Sequence, residues 1–229
     1  MTEATIPTVR DLRRRWKPHK ERLAQTRSDH PTAVRFHRAC SWLDEADRLD
    51  PQEHLDTILL FQWIALNALY GQWDEEHREP APDRASWQAF LRRILDLDRS
   101  GHLVAVLLEH KRLVLAIIEN EYLSGHFWEE PCQAAKGKAR RGRYHAQGWY
   151  VEKRWGTILE QLVQRVYLLR CQLVHGAATH RSQLNRTVLK HCTQIMRLLL
   201  PAVLLVWIDH GADEDWGPMC YPPLGARSG

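Results

Sequence analysis

An arginine and a histidine at the end of a long apolar segment are the residues of this sequence best suited to chemistry. Arg170 and His175 occupy the ends of the stretch RCQLVH, and Gly176 follows where a left-handed residue commonly ends a helix. A guanidinium can hold a phosphate through two parallel hydrogen bonds, and an imidazole can take up or release a proton near neutral pH. Because RNA carries its own nucleophile in the 2′-hydroxyl, this pair suits phosphodiester cleavage without a metal.

The spacing of the two residues is by itself a weak indication, because an arginine and a histidine five positions apart recur in the chain. The other pairs are Arg14–His19, Arg140–His145 and Arg186–His191. The pair Arg170–His175 differs from them in joining a long apolar helix to a glycine turn and a second long helix. Residues five apart on an ideal helix point about 140° apart. We therefore expect the two side chains to converge only where the last turn loosens or a second copy of the chain completes the site.

The elements that must position this pair are helical, since hydrophobic periodicity is helical almost throughout and no stretch of strict alternation predicts a sheet. The sequence predicts an all-α bundle of about five to seven helices. The first helix predicted in the domain begins at Pro31. The later predicted helices are Gln52–Trp73, Ser86–Leu97, His102–Tyr122, Tyr150–Val174 and Ser182–Ile208, the last bent near Pro201. The predicted organisation is a basic N-terminal arm over residues 1–29, a helical domain over 30–210 and a Gly/Pro-rich coil over 211–229. The arm is expected to be helical but not part of the core, with an interruption at Pro18.

The centre of the predicted core is the segment HLDTILLFQWIALNALYGQW, which is apolar on nearly every side. The side chains expected at this centre are Leu59, Leu60, Trp63, Ile64, Leu66 and Leu69, packed against Leu162, Val166, Leu169, Val188, Ile195 and Leu199. Trp42, Trp63, Trp87 and Trp207 are also predicted to pack in the core rather than bind a cofactor. Asn67 is polar within this apolar helix, either as a satisfied core amide or as a support for the site.

Two segments resemble motifs of the HEPN superfamily (higher eukaryotes and prokaryotes nucleotide-binding). The segment LLRCQLVHGAATH, followed by a long apolar helix, resembles the family's Arg-x4–6-His signature, and LFQWIALNALYG resembles the earlier core helix of the Apea-like branch. The two motifs and the helices between them cover roughly residues 30–210. The resemblance implies a helical bundle and homodimers in which the two motifs face each other. It also implies metal-independent endoribonuclease activity, with 2′,3′-cyclic phosphate and 5′-OH ends.

The same resemblance assigns the catalytic roles to Arg170 and His175. Because HEPN ribonucleases often act as toxins or antiviral effectors, it further implies RNA as a partner, and an antitoxin or defence-system component as a possible second one. The residue after the arginine is Cys171, where the family commonly has Asn, Asp or His. A thiol is a weak hydrogen-bond donor. The alternative is therefore a non-catalytic HEPN-like module that binds RNA or a partner protein.

A segment at about residues 125–148 breaks the helical pattern with Gly, Pro and a dense basic run. A loop of this length inside a compact domain is unusual and is often functional. The candidate RNA-binding residues in it are Lys136, Lys138, Arg140, Arg141 and Arg143, and aromatic residues suited to base stacking lie nearby at Tyr144, Trp149, Tyr150 and Trp155. The alternative is that this basic run is ordinary solvated surface. The same alternative applies to the N-terminal arginines Arg10, Arg13, Arg14 and Arg15.

The composition excludes several classes of protein. A chain of 229 residues that is 44% hydrophobic can bury the core of a globular domain, which excludes a disordered tail. Its formal net charge of +4 does not by itself indicate nucleic-acid binding. The five cysteines form no C-x-x-C pair, so we expect no disulfide framework, metal or cofactor, and a reducing, cytoplasmic compartment. The longest apolar run, Leu198–Ile208, is about half of the roughly 20 residues of a membrane span, so we expect no membrane partner.

Overall fold

The computed structural model describes residues 6–124, 145–177, 179–181 and 186–222. The helices along them are α1 (Val9–Thr26), α2 (Pro31–Arg48), α3 (Leu55–Tyr70), α4 (Asp83–Asp96), α5 (His102–Glu109), α6 (Lys111–Glu119), α7 (145–151), α8 (Trp155–Val174) and α9 (Arg186–His210). A 3-10 turn, Glu121–Leu123, follows α6. The strands β1 (Trp73–Asp74) and β2 (Glu79–Pro80) pair antiparallel between α3 and α4. The predicted all-α class is confirmed, with this short ribbon as an addition that the sequence did not predict.

The described residues contain more helical segments than the five to seven expected. The predicted helix His102–Tyr122 is divided at His110, whose backbone (φ −105°, ψ 25°) ends α5 and starts α6. The predicted helix Tyr150–Val174 is likewise divided, because Lys153 adopts a left-handed φ of 55° between α7 and α8. Periodicity does not register such breaks, since the apolar positions continue in nearly the same phase on both sides.

Helix α3 lies at the centre of the core and contacts α2, α4, α8 and α9. Most of the predicted centre is buried as expected, including Leu59, Trp63, Leu66 and Leu69 and their six predicted partners on α8 and α9. The prediction is wrong for Leu60, which is half-buried, and for Ile64 and Trp42, which are each 37% exposed. Positions four apart share one face of a helix. Leu60 and Ile64 therefore mark the face of α3 that turns away from the core.

The arginine-rich segment before α2 is part of the core, so the prediction of an arm outside it is wrong for the residues that the structure describes. A capping box starts α1, in which the Thr8 hydroxyl accepts from the Asp11 amide and the Asp11 carboxylate accepts from the Thr8 amide, both at 3.2 Å. Leu12 and Trp16 are buried against the body of the fold. Pro18 lies inside the helix on its exposed side and does not interrupt it. A narrow stripe of apolar positions is enough to dock this helix.

The residues after α9 are irregular, as predicted, but residues 211–222 pack against the helices. Trp216 is buried and its ring stacks on Trp207 with centroids 4.3 Å apart. The Arg93 guanidinium lies 4.9 Å from the Trp216 ring and forms an ion pair with Glu214 at 2.5 Å. The predicted coil is therefore a structured segment that closes one side of the fold.

Helix α9 is long and apolar enough to cross a membrane by length and composition alone. This differs from the expectation that no segment reaches that length. Of its most apolar 18-residue window, 72% is buried inside the fold. The core helices of soluble proteins have the same length and composition, so the finding is a weak indication of a membrane span.

Candidate functional site

A cleft of about 550 Å³ lies between α2, α3, the start of α4, α8 and the segment after α9. Arg170 lines it from a position one turn before the end of α8, and we call it the Arg170 cleft. Three of the large apolar side chains that remain exposed in this fold line the same cleft, namely Trp42, Ile64 and Tyr221. Clustered exposed apolar side chains rimmed by polar groups are typical of a binding surface. The cleft therefore combines an arginine with apolar and aromatic walls.

A chain of polar contacts holds Arg170 on the wall of this cleft. The buried Tyr70 hydroxyl donates to Asp83 Oδ1 at 2.6 Å, and Asp83 Oδ2 lies 3.9 Å from Arg170 Nη1. Burial and then the Asp83 carboxylate raise the pKa of Tyr70, which keeps the phenol protonated as a donor. The Arg170 and Asp83 side chains keep 24% and 31% of their surface exposed. The Asp83 carboxylate thus lies on one side of the guanidinium, which remains open to the cleft on the other.

Cys171 contributes to the same corner of the molecule. Arg170 Nη1 lies 4.0 Å from Cys171 Sγ. Burial, followed by a hydrogen bond with Cys171, raises the pKa of Tyr167, whose ring also lines the cleft. The residue that departs from the family pattern therefore contacts its own neighbours on α8. Nothing in these contacts directs the thiol at a ligand.

Two further arginines, which the sequence does not predict as site residues, line the cleft. Arg35 is 1% exposed, and burial followed by the nearby Arg38 lowers its pKa to about 10. Its guanidinium donates to backbone carbonyls at distances from 2.6 to 3.5 Å, those of Leu69, Gly71, Trp216, Gly217 and Pro218. Arg38 donates to the carbonyls of Cys220 and Tyr221. Both arginines bind the segment after α9 across the cleft, so their role is to build its wall.

One feature of the sequence could have indicated these arginine–carbonyl contacts. Arg35 lies on the inward face of α2, beside Phe36 and one turn before Ala39. Asn67, the other polar residue considered in this region, also lines the cleft and is half-buried. Its position favours the second of the two predicted roles, a support for the site. The sequence does not single out Tyr70, which ends the apolar segment of α3, or Asp83, which lies at the end of the polar stretch before α4.

His175 lies outside the Arg170 cleft. It is the C-terminal cap of α8, with φ −87° and ψ 9°, and its amide donates to the Cys171 carbonyl at 2.9 Å. Gly176 then adopts the predicted left-handed conformation, with φ 69°. The imidazole is exposed, and it is absent from the described residues that line the cleft. One chain therefore presents the arginine in a cleft and the histidine on an adjacent surface, as the angular spacing predicts.

Two of the other pairs with the same spacing have different surroundings, and Arg140 of the third pair lies outside the described residues. Arg186 forms an ion pair with Asp56 at 3.0 Å and donates to the Gln52 carbonyl. Arg14 pairs with Asp11 on the surface of α1 at 3.1 Å. These contacts give both arginines structural partners outside the cleft.

The predicted RNA-binding residues Lys136, Lys138, Arg140, Arg141 and Arg143 lie outside the described residues, as does Tyr144. Of the aromatic residues after them, Tyr150 is buried and its hydroxyl donates to the Leu107 carbonyl at 2.9 Å, with the Lys111 ammonium 4.7 Å from its ring. The prediction that Tyr150 can stack on a base is therefore wrong. Trp149 and Trp155 are partly buried against the core.

The residues that the structure describes contain no group of three or more His, Cys, Asp or Glu side chains able to hold a metal ion. Comparisons of the chain with protein-family models, curated proteins and solved structures find no match. The resemblance to the HEPN superfamily thus rests on the residues of its two motifs.

Proposed function

We propose that this chain is a metal-independent endoribonuclease of the HEPN type, with Arg170 and His175 as its catalytic residues. The observation that carries the proposal is the position of Arg170 in an apolar-walled cleft. Its contacts at 3.9 Å to Asp83 and 4.0 Å to Cys171 are both longer than an ordinary charged hydrogen bond. The guanidinium therefore retains donors for a phosphate. The toxin or antiviral role and the antitoxin or defence partner, which the resemblance implies, belong to the same proposal, as does the cytoplasmic location expected from the cysteines.

The reaction is an attack of the RNA 2′-oxygen on the adjacent phosphorus. The new bond joins O2′ to phosphorus, the bond from phosphorus to O5′ breaks, and the products carry a 2′,3′-cyclic phosphate and a 5′-OH. Arg170 stabilises the charge that develops on the non-bridging oxygens. His175 takes the proton from the 2′-hydroxyl or gives one to the leaving oxygen. The chemistry needs both residues within reach of one phosphate.

A homodimer supplies this proximity, since one chain presents the two groups on different surfaces. A two-fold axis near the end of α8 brings Arg170 of one chain toward His175 of the other, as self-facing interfaces do. Val174, next to His175, is 52% exposed. Gln172 Nε2 donates to the Tyr122 carbonyl at 3.0 Å, which brings a second exposed apolar side chain to the same end of α8. These apolar groups suit a subunit contact beside the motif.

The test is an RNase assay on the purified full chain, with and without EDTA, followed by analysis of the product ends. We expect cleavage that resists EDTA and leaves cyclic phosphates, and losses of at least about a hundredfold in His175→Ala and Arg170→Ala. The matched controls are His37→Ala and Arg92→Gln, an exposed histidine and an exposed arginine that do not line the Arg170 cleft. Cleavage that persists in His175→Ala or disappears with EDTA contradicts the proposal.

A second candidate is a non-catalytic module that binds RNA in the Arg170 cleft. The position of His175 outside that cleft favours it. Its signature is RNA binding without cleavage, weakened by Arg170→Ala and unchanged by His175→Ala. The same two variants therefore separate the two functions in one binding experiment and one cleavage experiment.

A further inference from the structure

The walls of the Arg170 cleft contain accessible aromatic surface. Trp42 on α2 and Tyr221 in the segment after α9 line the cleft, and they keep 37% and 68% of their surface exposed. A second aromatic ring supports each of them in an edge-to-face contact. Phe61 lies 5.1 Å from Trp42 and Trp73 lies 6.0 Å from Tyr221, measured between ring centroids. Both rings are therefore open to a ligand and held in position by a neighbour.

The backbone of Tyr221 adopts a conformation that is unusual for a bulky residue. Its φ of 49° lies in the left-handed region. Arg38 donates to the Tyr221 carbonyl at 2.8 Å and to the Cys220 carbonyl at 3.3 Å, which fixes this segment to α2. Backbone strain of this kind persists where the surroundings enforce it, and it is frequent at binding sites. The structure thus holds an aromatic ring on the cleft wall at a cost in backbone strain.

A polar side chain without a partner lies on the α3 wall of the same cleft. Asn67 is half-buried one turn after Ile64, and both residues line the cleft. The Asn67 amide makes no hydrogen bond to any residue that the structure describes, and neither of its polar atoms is sealed from solvent. A Cβ at position 71 would lie 2.9 Å from Asn67 Oδ1, so Gly71 keeps the space beside the amide open. An amide offers a donor and an acceptor side by side, which matches the edge of an unpaired base.

The charges around the cleft favour a ligand that carries a phosphate. Arg35, Arg38 and Arg170 line the cleft, and Asp83 is the one carboxylate among the lining residues that the structure describes. Arg35 and Arg38 donate to backbone carbonyls, and these neutral partners do not cancel the two positive charges. The excess of cations attracts an anion, whereas the aromatic rings suit the face of a base. One cleft therefore contains the groups that bind both parts of a nucleotide.

We propose that the Arg170 cleft binds one unpaired nucleobase of the RNA, attached to the phosphate that Arg170 holds. The base stacks on Trp42 and Tyr221, and the Asn67 amide forms hydrogen bonds with its edge. This subsite rests on the proposed function, because the phosphate at Arg170 is taken to be that of RNA. A base inside a duplex is stacked on both faces and paired along its edge, so the nucleotide bound here is single-stranded.

Calorimetric titration of the full chain with three probes tests the two parts of the ligand separately. The probes are adenosine 3′-phosphate, adenosine, which lacks the phosphate, and inorganic phosphate, which lacks the base. None of them has a 5′-oxygen leaving group on its phosphorus, so binding is measured whether or not the chain cleaves RNA. We expect adenosine 3′-phosphate to bind at least about tenfold more tightly than either of the other probes, as stacking of one base on aromatic side chains allows.

Variants assign each part of the ligand to its residues. Tyr221→Ala and Trp42→Ala should each weaken the binding of adenosine and adenosine 3′-phosphate about tenfold and leave that of inorganic phosphate unchanged. Arg170→Ala should weaken the binding of the two phosphate-containing probes and leave that of adenosine unchanged. Asn67→Leu should weaken the binding of the two base-containing probes about fivefold, as loss of a hydrogen bond does. Tyr221→Phe keeps the ring and should bind all three probes as the wild type does.

The control is Leu108→Ala, which truncates an exposed apolar side chain on α5 that does not line the cleft. A thermal melt verifies that Trp42→Ala folds, and Tyr221→Ala tests the stacking at a position that is mostly exposed. Three results overturn the base subsite even if the chain cleaves RNA. They are no binding of adenosine 3′-phosphate, equal affinities for adenosine 3′-phosphate and inorganic phosphate, and affinities for adenosine 3′-phosphate that are unchanged in Tyr221→Ala. Base-dependent binding by a chain that does not cleave RNA supports the subsite and contradicts the ribonuclease.

Discussion

Helix α8 consists of two regions with different surroundings, although one apolar sequence pattern runs through both. Up to Leu169 its inward face is buried, with Leu162, Val166 and Leu169 packed in the core. After Leu173 the side chains are exposed, namely Val174 and His175, which ends the helix. The two candidate catalytic residues therefore lie on either side of this change. Five positions along a helix are enough to move a side chain from a supported cleft to an open surface.

Arg170 and His175 differ in what each needs in order to act. Arg170 has a support built from other elements, because Tyr70 and Asp83 come from α3 and α4. His175 is fixed chiefly by the backbone hydrogen bond that ends its own helix. An oriented guanidinium can bind a phosphate within one chain, whereas the exposed imidazole gains a defined position through a second chain or through the RNA.

The largest effect is expected where α3 supports the buried region of α8. The buried Trp63 ring lies with its centroid 5.6 Å from that of Tyr167 on α8. Trp63→Ala should lower the free energy of unfolding by about 3–5 kcal/mol, since it removes a large buried aromatic side chain. Val174→Ala, in the exposed region, should change it by less than about 0.5 kcal/mol. Urea denaturation of both variants measures the difference.

Similar losses in these two variants would contradict the distinction between the two regions. A large loss in Val174→Ala alone would mean that a subunit contact buries the end of α8. Repeating the denaturation at several protein concentrations separates these outcomes, because stability that depends on a dimer rises with concentration.

A mixing experiment tests at the level of activity whether Arg170 and His175 act across two chains. Arg170→Ala and His175→Ala proteins should each be inactive, and their mixture should regain up to about a quarter of the wild-type activity once subunits exchange at random. The gain arises because a heterodimer that shares residues across its axis keeps one intact site. A fluorescence exchange assay provides the control. If exchange occurs and no activity returns, or if the wild-type monomer is fully active, the shared site is wrong.

The sequence predicts the buried region of α8 well and the Arg170 cleft poorly, for a physical reason. Burial of Leu162 or Val166 follows from helical periodicity, because a local pattern determines which face is apolar. The wall of the cleft is made by Arg35 of α2 binding carbonyls near residues 70 and 217, and by Tyr70 binding Asp83 across a loop. Such contacts depend on how distant elements dock, and a residue-type pattern does not contain that information. Arg170 and His175 could be predicted because neighbouring residues in the sequence indicate the end of a helix.

A smaller effect is expected from the hydrogen bond between the Tyr70 hydroxyl and Asp83. Tyr70→Phe removes the donor that holds Asp83 Oδ1 at 2.6 Å and leaves the packing of the ring intact. We expect a loss of about 1 kcal/mol in unfolding free energy, in the usual range for one hydrogen bond, since the partly exposed carboxylate can bind water instead. Tyr150→Phe is the matched control, because its buried hydroxyl donates to a carbonyl outside the cleft. A loss of RNA affinity in Tyr70→Phe and not in Tyr150→Phe links the bond to the site.

The smallest effect is expected from the contact between Asp83 and Arg170. Asp83→Asn keeps an acceptor for the Tyr70 hydroxyl and removes the charge that lies 3.9 Å from Arg170 Nη1. Partly exposed ion pairs contribute about 0.2–1 kcal/mol, so RNA cleavage should fall by no more than about fivefold. The loss should appear in KM rather than in kcat, because the carboxylate orients the arginine and does not touch the reacting atoms. A rise in RNA affinity would show instead that the carboxylate opposes the phosphate, and Arg170 would then be held away from its substrate. Combining Asp83→Asn with Arg170→Ala decides between these roles, since an effect transmitted through Arg170 disappears when that side chain is absent.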